Sequence, residues 1–108
     1  MIYFIGVNSN FTYKEFVFYD QEVTSGTPGT RAAQITIEPS DIQIEGYRPI
    51  SAVVYYINTS LDVIAIPFIS GTSESILNYT GYINLYRSSG SSTTVNMAVR
   101  FTYIKNKN

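Results

Sequence analysis

The stretch Thr93-Thr94-Val95-Asn96-Met97-Ala98-Val99-Arg100-Phe101-Thr102-Tyr103-Ile104 decides the fold. Val95, Met97, Val99, Phe101 and Tyr103 recur at every second position, and Asn96, Ala98, Arg100 and Thr102 fill the places between. Side chains of an extended strand point alternately to opposite faces, so this period of two writes one apolar face and one polar face. A helix would scatter the same residues around its axis. The stretch therefore predicts a long strand whose odd-numbered residues line a core.

The run before it, residues 79–87, reads the same way. Gly81, Ile83 and Leu85 alternate with Thr80, Tyr82, Asn84 and Tyr86. With residues 88–92 as a turn, the two runs predict a hairpin that pairs Leu85 with Met97, Ile83 with Val99 and Gly81 with Phe101. A slip of two residues keeps these faces, whereas a slip of one would wet the core. The other face of this hairpin carries Tyr82, Asn84 and Tyr86 beside Arg100.

Upstream, residues 2–7 read as an edge strand and Asn8-Ser9-Asn10 as a turn. Residues 15–23 form a strand in which Phe16 and Phe18 alternate with Val17 and Tyr19. Residues 24–30 are a loop, whose Pro28-Gly29 step suits a type II turn. Residues 31–38 form a strand with Ala33, Ile35 and Ile37 on one face. Glu38-Pro39-Ser40-Asp41 is a bend, and Ile42-Gln43-Ile44-Glu45 alternates again as an extended segment. Pro49 has no N–H to give a ladder and is expected at a strand start.

Residues 50–57 and 61–69 are apolar on both faces. In the first, Ile50, Ala52, Val54 and Tyr56 oppose Val53, Tyr55 and Ile57; in the second, Val63 and Ala65 oppose Ile64, Ile66 and Phe68. An antiparallel sheet of a small domain normally wets one face. These two runs are therefore expected either as central strands under covering loops or with one face against another subunit. Turn clusters every 8–12 residues or so fit a sandwich or barrel.

Composition agrees. The 108 residues suit a single domain, with 14 Ile and 8 Val against 3 Leu and 2 Met, plus 10 Tyr and 6 Phe. β-branched and aromatic side chains suit a pleated, half-buried surface. Charged residues make up only 14%, and the net charge of −1 shows no basic surplus for nucleic acid. Cys and His are absent, which excludes disulfides, thiol nucleophiles, imidazole bases and any metal site that needs those ligands. No signal-peptide pattern and no apolar run of about 20 residues is present.

One segment carries a resemblance. Gly46-Tyr47-Arg48-Pro49-Ile50-Ser51-Ala52-Val53-Val54-Tyr55-Tyr56 resembles the "GYxPI" strand of small structural proteins of bacteriophages and prophages of gut bacteria. In those chains, too, it follows a loop-bearing strand pair. It precedes a run like Tyr82-Ile83-Asn84-Leu85-Tyr86-Arg87, and a strand like residues 95–105 closes the domain. The likeness covers about residues 15–105 and consists of strand patterns, not chemical signatures. It implies a distal tail-fibre or receptor-binding domain: a compact β-sandwich, usually a homotrimer, that touches host surface glycans or proteins. The family supplies no agreed binding motif, so no functional residue transfers by position. Such tips follow a long stalk, whereas this sequence begins at Met1, which fits a trimmed chain or a free-standing virion protein.

Candidate residues come from the chain itself. Tyr82, Asn84, Tyr86 and Arg100 form the binding candidate, because a sugar wants aromatic platforms with amide and guanidinium donors. The same stripe also suits a subunit interface, or a plain polar sheet face. Residues 24–30 and 70–75 are polar loops at the end of a sandwich, where function often sits. Glu38, Asp41 and Glu45 are close enough in sequence to suggest paired carboxylates, but their outward parity favours simple solvation. No EF-hand spacing and no G-x-S-x-G elbow occurs.

The sequence therefore predicts an all-β, single-domain antiparallel β-sandwich with a jelly-roll-like path and no significant helix. The expected function is non-enzymatic: a virion or tail-fibre domain adhering to a host surface glycan or protein as a homotrimer, with other virion proteins as partners. It is expected in the virion, and extracellular after host lysis, with no cofactor, no metal, no nucleic acid and no membrane insertion. The alternatives are a purely structural capsid-decoration or baseplate protein, a stand-alone carbohydrate-binding module, and a small hydrolase or lyase using the three carboxylates.

Overall fold

The computed structural model describes the backbone of residues 2–7 and, with side chains, residues 10–24, 27, 29–59, 62–71, 79–87 and 91–107. Among the described residues, seven strands and one helical turn follow in order: β1 (Ile2–Val7), β2 (Phe11–Val23), β3 (Arg31–Ile37), α1 (Pro39–Ile42), β4 (Tyr47–Asn58), β5 (Val63–Ser70), β6 (Thr80–Arg87) and β7 (Thr93–Lys105). They form two antiparallel sheets, β1-β2-β7-β4 and β3-β6-β5. The fold is all-β, and the two sheets share one core between them.

Alternation builds that core. From β7 it takes Val95, Met97, Val99, Phe101 and Tyr103; from β6, Ile83 and Leu85; from β2, Phe16, Phe18 and Val23; from β3, Ile37. All of these are buried. Phe16 meets Phe101 edge to face, with ring centroids 5.6 Å apart, a favoured aromatic geometry.

The predicted hairpin does not form. β6 pairs with β3 and β5, while β7 pairs with β2 and β4. Leu85, Ile83 and Gly81 lie across from Ala33, Ile35 and Ile37 on one side, and from Ala65, Pro67 and Ile69 on the other. The parity of both strands is as expected. What differs is that the chain after Arg87 passes to the other sheet. Parity fixes which face is wet, and two strands facing each other across a core satisfy it as well as two strands side by side.

Two further expectations change. β4 and β5 are edge strands, not central ones. In β4, register shifts at Pro49/Ser51 and Val54/Tyr56 reset the alternation. Ala52 and Val54 stay against the core, and Tyr56 moves to the outer face with Val53 and Tyr55. Pro49 is not at the strand start but sits inside an edge strand beside the first shift, a place that tolerates a missing N–H.

The second change is at Ile42, which closes a helical turn rather than opening a strand; the alternation itself holds, with Ile42 and Ile44 toward the core, Gln43 and Glu45 exposed, and Gln43 extended. Pro39 opens the single turn of α1, where its absent N–H has no partner to lose. Ile42 then plugs one end of the core, fully buried. Tyr103 Oη donates to Ile42 O, and buried Lys14 Nζ donates to Asp41 O (2.6 Å) and Gln43 O (3.3 Å).

Candidate functional site

The four residues singled out from the sequence lie on two faces. Tyr82, Asn84 and Tyr86 sit on the outer face of the three-stranded sheet, opposite in parity to buried Gly81, Ile83, Leu85 and Arg87. Arg100 sits on the outer face of the four-stranded sheet. The core separates them, so they do not form one stripe. The absent hairpin is the reason.

On the first face, antiparallel pairing aligns three rows. Thr36, Tyr82 and Phe68 make one; Gln34, Asn84 and Ile66 the next; Tyr86 and Ile64 the third. Phe68 stacks on Tyr82 at 5.0 Å with the rings 22° apart. Gln34 Nε2 donates to Asn84 Oδ1 at 2.8 Å, which orients both amides. The aromatic pair stands at one end of the face, and along the β5 edge Ile66, across from Asn84, and Ile64, across from Tyr86, are 49% and 60% exposed.

On the second face, Glu15 of β2 lies directly across from Arg100 of β7, and Val53 of β4 lies on Arg100's other side. Arg100 Nε donates to Glu15 Oε1 at 2.8 Å, and Nη2 donates to the same oxygen. Tyr55 Oη donates to Glu15 Oε2 at 2.8 Å. Both oxygens of a buried carboxylate are thus engaged. The guanidinium carbon lies 4.5 Å from the centre of the Tyr13 ring and 5.6 Å from that of Tyr55, within cation–π range. The hydrogen bond to Glu15 raises the Arg100 pKa further above its already high ordinary value. Burial first, and then the hydrogen bond to Glu15, push the Tyr55 phenol up, which keeps it a donor.

A depression of about 310 Å³ opens beside this group, lined by Val53, Tyr55 and Arg100. A second of about 300 Å³ lies farther along, lined by Asn58, Thr59, Thr94 and Asn96. Asn96 is fixed there because its Oδ1 accepts from Asp20 N at 2.8 Å. Asp20 adopts φ 53° where β2 shifts register, a conformation that Asp tolerates better than most residues.

The three acidic candidates are scattered over the α1 region. Glu38 and Glu45 are exposed, and Asp41 is half-buried within the turn. Among the described residues no group of three or more acidic side chains could hold a metal ion. Of the two candidate loops, residues 25, 26, 28 and 72–75 lie outside the described residues. Among the described residues no helix is long and apolar enough to cross a membrane.

Sequence reasoning missed Glu15, Tyr13, Tyr55, Phe68 and Gln34. One signal was present: Glu15 is the charged residue in the row Phe11, Tyr13, Glu15, Val17 and Tyr19 that alternates with Phe16 and Phe18. Its partner is 85 positions away, and only strand order brings them together. Comparison with protein-family models, with curated proteins and with solved structures finds no match.

Proposed function

We propose that this chain is a non-enzymatic adhesion domain of a phage virion, of tail-fibre type, that holds host surface glycans through the outer face of its three-stranded sheet and works as a homotrimer. The observation that carries the binding reading is the Phe68–Tyr82 stack beside the Gln34–Asn84 amide pair. A pyranose offers an apolar C–H face and a rim of hydroxyls. An aromatic surface beside amides of fixed orientation meets both needs. A shallow site of this kind binds weakly, and three copies on one particle would raise the avidity. The exposed aliphatic side chains of the β5 edge, Ile64 and Ile66, are where a neighbouring copy would pack, with the sugar held on the β3–β6 side beside that contact. The virion assignment rests on the resemblance around residues 46–56. We also read the path β2-β7-β4 over β3-β6-β5 as jelly-roll-like, because successive strands repeatedly switch sheets.

Glycan-array binding of the intact protein tests this reading, with Tyr82→Ala and Phe68→Ala as variants. The expected result is binding to a defined set of glycans that either variant weakens about tenfold, a loss of about 1.4 kcal/mol. Binding that survives both variants unchanged would remove the platform from the reading.

A second reading has its own observation. Ile64 and Ile66 are large apolar side chains left exposed on an otherwise polar and aromatic face, which also fits a capsid-decoration or baseplate protein that binds only other proteins. Such a protein would bind no glycan, and its deletion would lower virion stability.

A further inference from the structure

We propose that Arg100 and the depression beside it form a second binding site, on the opposite side of the sandwich, for the carboxylate of an acidic sugar. The site does not depend on the Tyr82 platform and stands or falls separately. Arg100 is set side-on. Its Nε and Nη2 serve Glu15, and among the described residues nothing accepts from Nη1. A guanidinium has five N–H donors in a fixed fork, so the end remote from Glu15 still presents donors. The Arg100 side chain is 48% exposed although the Glu15 side chain beneath it is 6% exposed. The buried carboxylate, with the Tyr13 and Tyr55 rings alongside, therefore fixes the cation while its outer edge meets solvent.

That edge opens on about 310 Å³, near the lower limit for small-ligand sites. The rest of the lining is Val53 and the Tyr55 ring, both exposed. Glu15 already balances the charge of Arg100, so what the site offers is the outward N–H fork, whose planar geometry fits a carboxylate bidentately. The aromatic and aliphatic walls suit the C–H face of the ring that bears it. A uronic acid combines these features in one small molecule; an acidic amino acid lacks the ring, and a neutral sugar lacks the charge.

The test is a titration of the ¹⁵N-labelled full chain, following the Arg100 Nε–H and the amides of β4 and β7. The probes are glucuronate, galacturonate, methyl glucoside and N-acetylaspartate amide at one ionic strength. The expected result is saturable shifts centred on Val53, Tyr55 and Arg100 with a uronate, and none there with the neutral glucoside. Arg100→Lys, which keeps the charge but loses the fork, should weaken uronate binding about tenfold. Val53→Glu should abolish it without removing any partner of Glu15. Asn84→Ala, on the far sheet, should leave it unchanged. Equal shifts with N-acetylaspartate amide, or undiminished uronate binding by both Arg100→Lys and Val53→Glu, would overturn the proposal. So would an absence of uronate shifts in the parent protein, whatever the glycan array shows for the other face.

Discussion

Tyr103 and Lys14 are buried side chains whose polar groups act on the same target. Tyr103 Oη and Lys14 Nζ together hold the carbonyls of residues 41–43. Burial pushes the Tyr103 phenol well above the ordinary tyrosine range. Above about pH 10 the unfolded phenol ionises while the folded one keeps its proton, so stability must fall as pH rises. Lys14 works the other way. Burial lowers its pKa, and the charge of Asp41 offsets this in part. The unfolded chain then holds the lysine proton longer, and this group makes stability rise toward the unfolded lysine range. Tyr103→Phe should therefore cost about 1 kcal/mol at pH 7. It should also flatten the loss of stability between about pH 10 and 11.5, read from urea midpoints. A variant that falls as steeply as the parent would show that the alkaline loss arises elsewhere. The inward row ending in Tyr103 was legible from alternation alone. The inward turn of Lys14 was not, because its reward is a set of carbonyls whose position depends on α1.

At the scale of elements, α1 and β6 fit each other through a missing side chain. A Cβ at Gly81 would stand 2.5 Å from Ile42 Cδ1 and 3.0 Å from Phe101 Cζ. Gly81→Ala should thus force Ile42 outward and cost about 1–3 kcal/mol by overpacking. Faster amide exchange in α1 and in the facing end of β6 should accompany it. A neutral result in urea denaturation would mean that α1 yields without penalty. Alternation located β3, β5, β6 and β7 to within a residue or two. At residues 42–45 it gave the faces correctly but not the helical turn that ends at Ile42, which side chains from β2 and β7 hold. It failed at Tyr56, because a register shift leaves no mark across residues 52–57, all of them apolar or aromatic.

On the scale of the whole molecule, both strands with two apolar faces lie at sheet edges. Ile64, Ile66 and Phe68 on β5, and Ile50, Val53, Tyr55 and Tyr56 on β4, are exposed. Pro67 and Pro49 interrupt these edges, and proline blocks the addition of another strand. Association through β4 and β5 should then proceed face to face. Light scattering of the parent protein is expected to give a trimer, and Ile64→Lys with Ile66→Lys a monomer of unchanged urea midpoint. A monomeric parent would remove the oligomer from the proposed function. The sequence made the excess of apolar surface visible, along with the two-sheet class. It could not supply strand order, because each core-facing row is compatible with any neighbour of the same parity. That is also why the split between Arg100 and Tyr82 could not be foreseen.

The pairing of β2 with β7 has a consequence for biosynthesis. These strands join residues 11–23 to residues 93–105 at the middle of the larger sheet. A nascent chain must wait until Lys105 has cleared the ribosome before that junction can zip. Until then β2 has only β1 beside it, and Phe16 and Phe18 lack the β7 residues that they meet in the core. Contacts so distant along the chain also slow the search for the native state, to milliseconds or seconds in comparable all-β domains. Prematurely terminated products should consequently be insoluble rather than partly active, and the yield of soluble protein should improve when translation is slow enough to keep few unfinished chains together.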